Sequence, residues 1–225
     1  MKKILFAFSL LFFSNFVAAD SNYYFTSGSA KLNYTIPSGY VTDDDLHYRF
    51  SNFIEHRSPP ANLLALFTTR EDLNLYIETG EFPFFSKALI TMGQLKVNMS
   101  INRSMFTSLK HSLLRSGYNI AQLSVFKKAF NEEQNWFNRE FGTRHRARLE
   151  SIKDLGMNIQ SLNSVGVMGM VTYVNNNKTV KYVEAGGFYY YRNNVVVIGM
   201  NRRYSNDSDI KILEKEFKQI MHSFD

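Results

Sequence analysis

Cysteine is absent from the 225 residues. That excludes disulfides, a thiol nucleophile, a thiolate metal site and a lipid-modified cysteine tether, so the folded state must rest on apolar burial. Four prolines are too few for a proline-rich linker. No repeat with a period of about 20 to 50 residues occurs, which excludes solenoids and propellers. Catalytic signatures are missing too. The five histidines, His47, His56, His111, His145 and His222, are scattered, with no HExxH and no pair at metal-binding spacing on one helix. Neither a GxSxG elbow nor a GxxxxGK(S/T) loop is present. Asp43-Asp44-Asp45 ahead of His47 lacks the glycine and distal glutamate of a calcium loop and reads as an acidic loop after a strand. Glu132 and Glu133 are adjacent, so spacing does not place them on one helical face as a carboxylate pair. No catalytic residue, metal or cofactor is expected.

What the chain does have begins at its start, MKKILFAFSLLFFSNFVAAD. Lys2 and Lys3 precede an apolar run from Ile4 to Phe13, and Val17 and Ala19 suit the −3 and −1 positions of a cleavage site. This is the pattern of a secretory signal peptide, and the run is about half the roughly 20 residues needed to span a bilayer. Residues 1–19 are expected to be removed, leaving 206 residues as one periplasmic α+β domain, 20–225. Loss of Lys2 and Lys3 lowers the formal charge from +6 to +4. Such a surplus does not argue for nucleic acid, although it tolerates an anionic surface or an acidic protein face.

The mature chain reads as strands and helices in a mixed order. Residues 20–30 form a loosely held start, and Lys31 to Tyr40 alternates Leu32, Tyr34 and Ile36 before a Pro-Ser-Gly turn, which predicts a strand. Asn62 to Thr69 and Lys87 to Met92 are short apolar runs that fit buried strands. Between them Arg70 to Glu78, with Thr69 as cap, fits a helix better than a strand. Asn102 to Gly117 carries a polar cap, an apolar stripe and a terminal glycine, so it predicts a helix. Leu123, Phe126, Phe130, Phe137 and Phe141 mark one face of a longer helix ending near Gly142. The segment NDSDIKILEKEFKQIMHSF predicts a C-terminal amphipathic helix behind Asn206.

From Val165 the period changes to two, and three antiparallel strands in a meander are expected, with turns at an Asn-Asn-Asn-Lys stretch and at Asn193-Asn194. With that second turn, Tyr191 pairs with Val196 and Tyr189 with Ile198. One face then carries Val183, Ala185, Tyr189, Tyr191, Val196 and Ile198; the other carries Val180, Tyr182, Phe188, Tyr190 and Val197. A sheet apolar on both faces needs cover on both. Tyr191 is expected in the core, whereas Tyr190 fits either the core or a groove open to a partner. Gly186-Gly187 would mark a bulge or a close backbone approach.

The candidate partner-binding residues are Trp136, the only tryptophan, the basic Arg144, Arg146 and Arg148 that follow it, and Tyr190. Basic residues near an aromatic suit an anion, but a basic cluster after a helix end also complements the helix dipole and sits well in water. The strand ending in IPSGY, the LLALFTTREDL segment and the GFYYYRNNVVVIGMNRRYSNDSDIKILEKEF meander and helix resemble, in layout, secreted proteobacterial proteins of unknown function with a PsbP-type architecture. The resemblance implies an antiparallel sheet flanked by helices on both faces, an α/β/α sandwich, and a binding or accessory role; the leader and the basic cluster point to an envelope protein or an anionic surface as the partner. A hydrolase of envelope polymers built around Glu132, Glu133 and His145 is the alternative.

Overall fold

A computed structural model describes residues 21–27, 30–56, 61–83, 86–95, 101–117, 124–175 and 178–224. The signal-peptide expectation, and the centre of the Asn-Asn-Asn-Lys turn, lie outside the described residues.

The chain opens with β1 (Ser21–Ser27) and β2 (Ala30–Ile36), then β3 (Tyr40–Val41), α1 (Asp44–His56), β4 (Ala61–Thr69), α2 (Arg70–Thr79) and β5 (Ala88–Leu95). Two helices follow, α3 (Arg103–Ser116) and α4 (Ser124–Glu140). Strands β6 (Ala147–Gln160), β7 (Ser164–Asn175), β8 (Lys178–Tyr191) and β9 (Asn194–Arg203) come next, and α5 (Asp207–Ser223) closes the chain. Strands β3 to β9 form one sheet in the order β3-β4-β5-β9-β8-β7-β6, antiparallel at every pairing. The class is α+β, as the sequence implies.

Local signals explain several boundaries. Asn102 caps α3 by accepting from Met105 N, and the Gly117 N–H returns to Leu113 O. Thr69 caps α2, and Gly80 ends it at φ 72°, a left-handed conformation that suits glycine. At α5 Asn206 and Asp209 form a reciprocal capping box. Within α2 the buried positions are Asp72, Leu73 and Tyr76, so the apolar Leu75 and Ile77 lie on the exposed side.

One face of the sheet is covered by α5 and the β1–β2 hairpin, where Leu213, Phe217, Ile220 and Met221 meet Val183, Ala185, Tyr189, Val196 and Ile198. On the other face α1, α2 and α4 gather Leu46, Phe50, Ile54, Phe82, Trp136, Phe137 and Phe141 over β4, while α3 brings Phe106 and Leu113 onto Val165, Val167, Tyr190 and Val195. The α/β/α layering expected of two apolar faces is present.

Several expectations are corrected. The start is no loose end: β1 pairs with β2 along its whole length, and Tyr23 packs on Tyr34 and Phe67. Asp43 to Asp45 is no simple acidic loop. Asp43 Oδ1 accepts from Leu46 N at 2.9 Å and caps α1. The meander has four strands, because β6 pairs with β7. Finally, the hairpin turns at Arg192-Asn193, with φ of 45° and 64°, so Tyr191 pairs with Asn194, Tyr190 with Val195 and Tyr189 with Val196. Asn194 belongs to the ladder instead, held by Gln94 Nε2 at 2.8 Å. The slip is two residues, and an even slip leaves every side chain on the face assigned to it. Gly186 and Gly187 lie in an unbroken ladder, so there is no bulge, but the close backbone approach is present at Gly187, where a Cβ would come within 2.7 Å of Val165 O. Tyr189 and Tyr190 are 7% and 8% exposed, whereas Tyr191 is half-buried at the edge of the core.

Candidate functional site

Helix α3 covers the Tyr190 end of β8 on the second face. Further along the same strand the cover opens into a groove of about 380 Å³, within the range of roughly 300 to 1,000 Å³ common for small-molecule sites. Its floor is the sheet at Thr91, Gly186, Val197 and Gly199; its walls are Phe50 and Phe53 of α1 and Phe130, Glu133 and Phe137 of α4. Gly186 and Gly199 are paired across β8 and β9, and Thr91 pairs with Gly199 from β5. A Cβ built on Gly186 would meet nothing within 4 Å, while one on Gly199 would come within 2.9 Å of Thr91 Oγ1. Two missing side chains on neighbouring strands therefore hollow the floor, which a sheet of ordinary residues would fill.

Polar groups stand around this floor. Glu184 and Asn201 are cross-strand partners next to the glycine pair. Tyr173 Oη donates to Glu184 Oε1 at 2.9 Å, and its ring stacks on Phe130 at 4.9 Å between centroids, so the strand carboxylate and the helix bearing Glu133 are tied together. Tyr182 lines the groove and donates to Ser86 O at 2.7 Å. Burial raises its phenol above the ordinary range, so it stays a protonated donor committed to that carbonyl. Asn201 Oδ1 is shut off from solvent and has no hydrogen-bond partner among the described residues, an arrangement that ordinarily costs about 1 to 3 kcal/mol. Among the described residues that line the groove there is no lysine, arginine or histidine.

The residues singled out from sequence fall in three places. Trp136 is 9% exposed, stacked on Phe53 at 4.6 Å and edge-on to Phe50 at 5.1 Å. It braces the helix layer behind the groove. Arg144, Arg146 and Arg148 are all exposed while Ala147 between them is buried, so the three guanidinium groups face solvent whereas Trp136 is buried among aromatic rings. Tyr190 lies beneath α3: its ring is 5.2 Å from Phe106, Arg103 sits over it at 4.6 Å, and its hydroxyl donates to Asn193 Oδ1 at 2.8 Å. Of the alternative carboxylates, Glu133 lines the groove, whereas Glu132 is exposed and faces Lys128 at 3.8 Å. His145 is outside the lining; Asn138 brackets its backbone, with His145 N donating to Asn138 Oδ1 at 2.7 Å and Asn138 Nδ2 to His145 O at 2.9 Å. Glu184, Asn201 and the Gly186–Gly199 pair were not picked out from sequence. Their only local signal is glycine inside strand patterns.

Burial holds the His145 imidazole below its usual value, against a smaller opposing pull from Glu81. A depressed imidazole contributes stability above the unfolded value of about 6.5 and loses it as pH falls through the folded value. His145→Gln is therefore expected to flatten the decline in urea midpoint between about pH 7 and pH 5. An unchanged slope would assign the decline to other groups.

No family model and no curated protein matches the chain. Among solved structures it is similar to the Ran-binding protein Mog1p of Saccharomyces cerevisiae, at 13% identity over 92% of this chain and 94% of that one, with a TM-score of 0.37. It is similar also to the cyanobacterial PsbP protein (CyanoP) of Synechocystis sp. PCC 6803, at 9% identity over 94% and 95%, with a TM-score of 0.40. A third is a Pseudomonas aeruginosa protein of unknown function, PA94, described as a putative regulator, at 9% identity over 90% and 94%, with a TM-score of 0.30. A PsbP protein thus stands among the similar structures, and at these scores the chain's function has to be argued from its own groove.

Proposed function

We propose that this chain is a non-enzymatic binding or accessory module of the periplasm, and that it takes its ligand into the groove over Gly186 and Gly199. The observation that carries the reading is the groove itself, an aromatic-walled concavity whose floor is opened by two paired glycines and whose rim holds carboxylates and an amide. Aromatic walls supply contact area and a few placed polar groups supply orientation, which is what a binding site requires. Export rests on the leader read at residues 1–19. Among the described residues no helix is long and apolar enough to cross a membrane. The partner is then an envelope protein or an anionic surface, the latter served by the outward Arg144, Arg146 and Arg148.

The test combines ligand screening with turnover assays on the exported protein, whose mass should start at Asp20. A ligand that binds only the folded state raises stability by about 2.7 kcal/mol at 100 times its Kd, so a panel of charged and neutral small molecules, with anionic vesicles as a further arm, should produce saturable shifts in melting temperature. Turnover of peptidoglycan, ester or phosphoester substrates that disappears in Glu133→Gln would replace this reading with the hydrolase.

A further inference from the structure

Apart from the groove and from the Arg144–Arg148 cluster, we infer a further docking surface, for an anionic phospholipid bilayer, at the end of the sheet where β6 turns into β7 and β8 into β9. Leu162, in the first of these turns, is 80% exposed. A single exposed leucine is ordinary, but this one is held out on a fixed mount. Ser161 N donates to Ser164 O at 3.0 Å, Tyr190 N donates to Asn163 O at 2.8 Å, and the Ser161 and Ser164 hydroxyls meet at 2.7 Å. Two cations of α3 clasp the same turn. Arg103 donates to Leu162 O at 3.2 Å and to Asn163 Oδ1 at 2.6 Å, and Lys110 Nζ donates to Ser161 O at 2.6 Å. Ile101 N donates to Asn193 O at 3.2 Å, which ties the second turn, with its exposed Arg192, to the start of α3.

The segments that build this end carry no carboxylate. Residues 82–131, 155–183 and 185–206 contain no aspartate or glutamate, and they include all of α3, both turns and the strand ends that meet there. The groups that accept from Arg103 and Lys110 are two carbonyls and an amide, which bear no net charge. Asp154 of β6 is beside Gly117, at the opposite end of α3. Arg103, Lys110 and Arg192 therefore form a positive collar around an apolar tip. That combination selects the occupant. A polysaccharide or a nucleic acid would satisfy the cations but offers no apolar phase to Leu162. A bilayer with anionic lipids supplies both, a negative headgroup layer and hydrocarbon beneath it. Lysine and arginine keep their charged heads at headgroup level while the leucine reaches deeper. The polar Ser161 and Asn163 on either side of Leu162 confine insertion to the tip, so the contact is reversible and sensitive to salt.

The experiment is co-sedimentation of the exported protein with phosphatidylcholine vesicles that contain about one-third phosphatidylglycerol, beside pure phosphatidylcholine vesicles and soluble polyglutamate. Saturable binding to the anionic vesicles is expected, with none to pure phosphatidylcholine and a marked loss in about 0.5 M salt. Leu162→Ser should weaken binding by about tenfold, through loss of one leucine's transfer into an apolar phase, and should leave the melting temperature unchanged. Arg192→Gln should weaken it by about fivefold, the effect of one cation near an anionic surface. Leu162→Trp should bind at least as tightly as the parent and gain blue-shifted emission with anionic vesicles, a response that the buried Trp136 does not supply. Replacing Arg144, Arg146 and Arg148 together with serine removes three charges at the other end of β6 and should cost less binding than Leu162→Ser. A greater loss from that replacement than from Leu162→Ser would overturn the inference, and so would vesicle binding indifferent to Leu162→Ser. Equal binding to polyglutamate would also overturn it and assign this end to an acidic protein. Absence of vesicle binding would overturn it while leaving the groove reading in place, because the melting-temperature screen tests that reading separately.

Discussion

Phe217→Ala is expected to lower the unfolding free energy by about 3 to 5 kcal/mol, the range for truncating a fully buried aromatic side chain. Phe217 has 0% exposure and lies on α5 among Leu213, Ile220 and Met221. Its ring is seated directly on the sheet, at a place where two glycines face each other across β7 and β8. A Cβ on Gly166 would lie 2.5 Å from Phe217 Cε1, and one on Gly187 would lie 3.0 Å from Phe217 Cζ. The ring thus fills a depression that the backbone alone defines. Backbone cannot collapse into a void as a side chain can, so removal of the ring leaves a cavity close to its full volume. Urea denaturation of parent and variant, with equal m-values, measures the difference. A loss below about 1 kcal/mol would be incompatible with a ring packed in this way.

The seat of Phe217 also shows which parts of the structure were legible in the sequence. Helix α5 was legible because its information is local: Asn206 and Asp209 mark the start, and Leu213, Phe217 and Ile220 recur on one face. The same holds for α3 between Asn102 and Gly117. Face assignment in the meander survived a misplaced turn because side-chain alternation is insensitive to an even slip. Helix α1 escaped notice although its signals were present. Asp43 caps Leu46, and Leu46, Phe50 and Ile54 are buried at intervals of four, but three successive aspartates drew the reading toward a loop. Strand β6 was hidden for a different reason. It is an edge strand, its pairing with β7 shifts register twice, and Gly156 sits at φ 67° within it, so no steady alternation is left to read. The groove was the least legible part. It depends on Gly186 and Gly199 being opposite each other, on Phe130 reaching Tyr173, and on α1 and α4 stopping short of closing the face. None of these relations is local in sequence.

Gly186 and Gly187 give the second large prediction, because adjacent residues on a strand face opposite sides of the sheet and should respond in opposite ways. Gly186 looks into the groove, has no positive φ, and offers open space to a Cβ. Gly186→Leu should therefore fold normally, with stability within about 1 kcal/mol of the parent, since the lost backbone freedom of glycine favours the variant and the added side chain enters free volume. The isobutyl group would occupy the floor between Phe50, Phe137 and Glu184, so saturable binding of any groove ligand should disappear. Gly187 looks the other way, into the α5 layer. A Cβ there would come within 2.7 Å of Val165 O and 3.0 Å of both Met221 Cε and Phe217 Cζ. Two of those neighbours belong to a packed helix and the third is backbone, so Gly187→Ala should cost about 1 to 3 kcal/mol by overpacking, while the molecules that remain folded keep their ligand affinity. Thermal unfolding and ligand titration of the two variants beside the parent separate fold from function at neighbouring positions. A Gly186→Leu protein that still binds would move the site elsewhere, and a Gly187→Ala protein as stable as the parent would contradict the close seating of α5 on the sheet.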